Sequence, residues 1–73
     1  MPRVAAVGEE VRLRGYALAG ADLHAAAGEE QLAAAWERLP DDVACLVLTR
    51  AAHTTLAARL RERPDLVWAV VPD

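Results

Sequence analysis

Residues 44–63 read ACLVLTRAAHTTLAARLRER, and a change of period inside them decides the fold. The first five form a continuous apolar run, too short for a buried helix, which reads as a buried strand. Beyond Thr49 the pattern turns helical. Ala52, Leu56 and Leu60 fall on one face, while Arg59, Arg61, Glu62 and Arg63 crowd the last turns. Arginines there complement the negative end of a helix dipole, and Pro64 ends the element. A strand feeding directly into an amphipathic helix is one half of a β-α-β unit.

The same unit recurs in both directions along the chain. Apolar runs at residues 3–7 (RVAAV), 23–27 (LHAAA) and 66–71 (LVWAVV) give three more strands, all four read as buried on both faces. The run at 23–27 is mostly alanine with His24 inside it, which suits a sheet edge. Residues 31–39 form a helix with Leu32, Ala35, Trp36 and Leu39 at i, i+3, i+4 and i+7, stopped by Pro40 and Asp41-Asp42. Residues 10–19 are a weaker helix, since Val11, Leu13, Tyr16 and Leu18 spread around its circumference, and Gly20 is its natural stop. Gly-Glu-Glu at 8–10 and again at 28–30 reads as two helix starts, where carboxylates meet the positive end of the dipole.

The order β-α-β-α-β-α-β implies an α/β, three-layer, flavodoxin-like (Rossmann-like) sheet of four parallel strands with right-handed crossovers and three helices. The expected strand order is 2-1-3-4, with the reversal between strands one and three. The first helix then covers one face, and the second and third cover the other. Within these residues no helix follows the fourth strand, so the first-helix side of strands three and four is expected to be apolar and in need of a partner. Trp68, Val70, Leu46 and Leu48 are the candidate partner surface, Trp68 weighed evenly between core and contact.

Bulk composition agrees. The 73 residues suffice for a single domain, 1–73. An apolar fraction of 55% excludes a disordered tail, and 17 alanines mean a core of small side chains. A net charge of −3 argues against nucleic acid as a partner. No apolar run reaches the ~20 residues of a membrane span, and the N-terminus lacks signal-peptide character. The lone Cys45 fits a reducing compartment, so a soluble cytoplasmic domain is expected. A core this small gives about 3–5 kcal/mol at most, so the free domain should be marginally stable.

Ligands of open α/β sheets bind beyond the carboxyl ends of the strands at the reversal point. That crevice would be lined by Gly8, Glu9, Glu10, Thr49 and Arg50. An acidic pair after the first strand is what Mg²⁺-holding receiver domains carry. The phosphoacceptor Asp is missing at Leu48-Thr49-Arg50, however, and the chain has no lysine. Neither G-x-G-x-x-G nor a Walker A loop occurs, so no nucleotide cofactor is expected. His24, Cys45 and His53 lack metal-site spacing. His53, Thr54 and Thr55 are adjacent on a helix and point apart, so they form no catalytic dyad. No catalytic residue, cofactor or metal is assigned.

Residues 15–21 read GYALAGA. This resembles the G-F-x-L-A-G-V signature on the first helix of the F subunit of archaeal-type (V/A-type) rotary ATPases. RVAAVGEE is similar to that family's first strand and turn. Residues 44–63 look like its third strand and charged helix, and DLVWAVVPD like its fourth strand. The resemblance implies a flavodoxin-like domain without a catalytic site, bound on the central rotor to the axle (D) subunit and the rest of the complex. It would be cytoplasmic and peripheral to the membrane, with no insertion of its own, and would help couple ion translocation to ATP synthesis or hydrolysis. It further implies packing roles for Gly15, Tyr16, Leu18, Ala19 and Gly20, with Gly15 allowing close approach of helix to sheet and Gly20 ending the helix. Family members continue past the fourth strand into a helical tail against the axle, whereas these residues end at Asp73. The rival readings are a degenerate receiver-like module centred on Glu9, Glu10 and Thr49, and a domain that covers its open face as a homodimer.

Overall fold

A computed structural model describes residues 3–72; Asp73, the last residue of the DLVWAVVPD stretch, lies outside the described residues. Strands β1 (Arg3–Gly8), β2 (Asp22–Ala25), β3 (Val43–Leu48) and β4 (Val67–Val70) alternate with helices α1 (Glu10–Leu18), α2 (Glu29–Arg38) and α3 (Arg50–Arg61). All strand pairs are parallel, and their order is β2-β1-β3-β4. Both Gly-Glu-Glu repeats fall at helix starts. Glu10 opens α1, and Glu29 and Glu30 occupy the first turn of α2. The α1 helix ends in a Schellman turn: the Gly20 N–H donates to the Ala17 carbonyl at 3.1 Å and the Ala21 N–H to that of Tyr16 at 3.0 Å. Gly20 takes φ +107° there, a conformation an L side chain resists.

Partners across a parallel ladder project to the same face, so the register fixes which side each residue serves. Ala5 pairs with Leu46 and Val7 with Leu48, and all four are fully buried under α2 and α3. Leu32 and Ala35 from α2, Leu39 just beyond its end, and Ala52, Leu56 and Leu60 from α3 complete this main core, with Trp36 packed on its edge. Ala6 faces the other way, into a small second core with Leu13 and Val71.

Burial on both faces, expected of every strand, holds only in β1 from Ala5 onward. Residues Val67–Val70 are all exposed, and β3 is fully covered only on the side of α2 and α3. For β3 the cause is the count of helices, one against two; β4 is the edge strand and is open on both faces. Helix α1 packs on β1 and β2 and buries only Leu13. Its apolar residues have no common face, so Val11 is 71% and Leu18 86% exposed.

Thr49 links strand to helix. It is 3% exposed, and its hydroxyl oxygen accepts the Ala52 N–H at 3.2 Å, capping α3. Thr49→Ala removes that cap, at a cost of about 1 kcal/mol, and should lower Tm by roughly 4–8 °C in a domain this size. Thr49→Ser keeps the acceptor and should restore most of the loss. A thermal melt of the two variants against the parent checks both statements.

Candidate docking surface

The carboxyl ends of β1 and β3 do bring Gly8, Glu9, Glu10, Thr49 and Arg50 to one end of the sheet, but no crevice opens between them. Gly8 lies at φ +146° directly against Thr49, whose Cβ is 2.9 Å from where a side chain on Gly8 would begin. The Thr49 N–H donates to the Val7 carbonyl at 3.3 Å, and the Ala26 N–H to the Gly8 carbonyl at 2.8 Å. Thr49 fills the reversal point and spends its hydroxyl on the helix cap. The carboxylates engage their own helix, Glu9 with Arg12 at 3.8 Å and Glu10 with Arg14 at 3.5 Å. Arg50 sits exposed on the first turn of α3.

Soft ligands are not gathered either. His24 stands on edge strand β2 and Cys45 on β3. His53 on α3 lies over Trp68, ring centroids 4.8 Å apart at 31°. Among the described residues no three His, Cys, Asp or Glu side chains cluster in a way that could hold a metal ion. No helix of the described residues is long and apolar enough to cross a membrane.

What remains is apolar surface, and the register corrects where it lies. Leu46 and Leu48, candidates for a partner surface, are 0% exposed, because β3 turns them toward α2 and α3. Trp68 pairs with Leu46 and Val70 with Leu48, so both project to that same side, at its edge, where α3 reaches Trp68 through His53 and leaves both side chains partly open. They are 41% and 36% exposed. The α1 side instead carries two rungs running across three strands, and of their residues only Ala6 is fully buried, in the core with Leu13. One is Val4, Cys45 and Val67; the other is Ala6, Val47 and Ala69. Val4 is 40% and Val67 66% exposed. A signal for this assignment was present in the sequence. The larger Leu46 and Leu48 belong under two helices, and the smaller Cys45 and Val47 under none.

The GYALAG residues also need correcting. A Cβ on Gly15 would meet nothing within 4 Å, so the glycine serves no close approach of helix to sheet. Leu18 is not a packing leucine, and Tyr16 is 41% exposed. Ala19 caps α1 and is exposed, and Gly20 holds the turn described above. On a helical wheel Val11, Gly15 and Leu18 lie opposite the buried Leu13, on the outer side of α1. Tyr16 borders a shallow hollow with Val4, Ala19, Gly20 and Ala21, rimmed by Arg3, Asp22 and Asp42.

No family model and no curated protein matches the chain. Among solved structures it is similar to the F subunit of the V-type ATP synthase from Archaeoglobus fulgidus, with a TM-score of 0.78 and 22% identity. The match covers 97% of this chain and 98% of that one. At this identity the likeness is one of fold, including the four-stranded 2-1-3-4 sheet with three helices.

Proposed function

We propose that this chain is the non-catalytic F subunit of the central stalk of a V/A-type rotary ATPase or ATP synthase. It would act by gripping the axle (D) subunit, so that rotation driven by ion flow is coupled to ATP synthesis or hydrolysis. The observation that carries this reading is the end-to-end likeness in fold to the F subunit of a V-type ATP synthase. The GYALAGA resemblance supports it independently. A rotor subunit needs no reactive group. It needs a rigid body and a surface that loses water on contact, and an open apolar sheet face supplies the second. In this role residues 1–73 work as one domain, cytoplasmic and held at the membrane only through the complex. The receiver-like alternative suffers from Thr49, which fills the place a phosphorylated site would need.

The test is a melt of the full chain alone, with the axle subunit from the same genome, and with Mg²⁺ plus a phosphate mimic. The axle subunit should raise Tm, by mass action on the folded state, and Mg²⁺ with the mimic should not. A shift produced by Mg²⁺ and the mimic alone would favour the receiver-like reading and overturn this one.

A further inference from the structure

We propose that β4 pairs with β4 of a second copy of this chain, antiparallel about a two-fold axis at Ala69, joining two four-stranded sheets into one of eight strands. The pairing belongs to the chain free of other partners and does not rest on its role in a stalk. Strands β2 and β4 are the two edges of the sheet, and they differ. β2 carries Asp22 and His24, and Asp22 is tied to Arg3 at 3.4 Å, polar features of the kind that blunt an edge. β4 reads VWAV, with no charge, no proline and an unbroken register against β3, and all four residues are exposed. An edge of this kind is a template for another strand.

Hydrogen bonding selects which strand fits. Successive residues of a strand turn their polar groups to opposite sides. The Val71 N–H donates to the Leu48 carbonyl at 2.8 Å, and Leu48 lies opposite Val70. Val67, Ala69 and Val71 therefore turn to β3, while Trp68 and Val70 turn their N–H and C=O groups to the open edge. The edge ends there, because the Leu66 N–H is taken by the Arg63 carbonyl at 3.1 Å and Pro72 has no N–H. Two donors and two acceptors arranged in this way are self-complementary. With Ala69 opposite Ala69 of the second copy, Trp68 exchanges both bonds with Val70 of the second copy, and Val70 does the same with Trp68 there. Every polar group of the open edge is then satisfied. Centring on Trp68 would set Val70 against Leu66, whose N–H is occupied, and centring on Val70 would set Trp68 against Pro72. The Ala69 register also keeps faces in step, since Trp68 and Val70 project to the same side. It twice sets an aromatic against a β-branched side chain, a favoured cross-strand pair. The contact is one short strand long, below the about 1,200 Å² of stable complexes, so the pair is weak and forms on concentration.

Sedimentation velocity of the full chain, from about 10 μM to about 1 mM, should show a mass rising from one copy toward two. Ala69 is exposed, so Ala69→Glu should leave the melt of the dilute chain unchanged. It should also hold the mass at one copy, because two carboxylates then meet at the axis. Disulfides in a Cys45→Ser background read the register. The two Ala69 positions form a non-hydrogen-bonded pair with Cα atoms about 4.5 Å apart, so Ala69→Cys should cross-link under mild oxidation. Val67 lies two residues from the axis, so its two copies stand roughly 13–14 Å apart along the strands, and Val67→Cys should cross-link at least tenfold more slowly. A one-copy mass throughout, a dimer that survives Ala69→Glu, or equal cross-linking at both positions would overturn the pairing. A one-copy chain whose binding to the axle subunit is lost with Ala69→Glu would assign the edge to a partner's strand and likewise overturn it.

Discussion

Gly8→Ala should unfold the free domain or lower its Tm by more than about 10 °C. Two costs fall on one atom. The glycine holds φ +146°, which an L residue adopts only under strain of about 1–3 kcal/mol. The new methyl would also overlap the Thr49 side chain, with the Thr49 Cβ itself only 2.9 Å away. Thr49 cannot swing aside cheaply, because it is buried and capping α3. Overpacking of this kind adds about 1–3 kcal/mol. The sum of roughly 2–6 kcal/mol is comparable to the ~3–5 kcal/mol that a single small core supplies. Placing Thr49→Ala in the same chain removes the two nearest atoms, Cγ2 and Oγ1, and leaves the Cβ contact and the strain, so the double variant should be less destabilised than the two singles summed. An unchanged melt for Gly8→Ala would contradict the account of a filled reversal point.

Leu56→Ala should cost about 2–5 kcal/mol, read from the midpoint of urea denaturation. Leu56 is fully buried in the main core, where Ala5, Ala26, Ala35 and Ala52 are also buried. Alanine has no rotamer with which to fill a gap, so the cavity should persist near full size. The range follows from how far the backbone can collapse. Leu18→Ala is the matched control, removing the same atoms from a side chain that is 86% exposed. It should stay within about 0.5 kcal/mol of the parent. A comparable loss at both positions would mean that Leu18 has a packing role and that α1 is seated differently.

The alternation of strands and helices is legible because the two periods differ over neighbouring stretches, as they do across Thr49. The strand order follows from chirality and winding, which depend on the order of elements and not on any one side chain. Face assignment is harder. A continuous run such as ACLVL shows no alternation, and only the size difference between Leu46 and Cys45 hints at which side carries two helices. Residues 15–20 mislead for a related reason. An apolar residue matched to a family signature looks the same whether it packs on its own sheet or waits for another chain. Gly8 reads in sequence as a plain helix-start glycine, because its fit against Thr49 joins positions that are distant along the chain and meet only in the folded sheet. His24, Cys45 and His53, scattered in sequence, stand on three different elements of the fold.

The central claim is that this chain works by contact with an axle and not by chemistry of its own. Co-expression with the axle subunit from the same genome, followed by size exclusion, tests it most directly. Elution of the two as a stoichiometric pair is the predicted result. Separate elution of two folded proteins would contradict it.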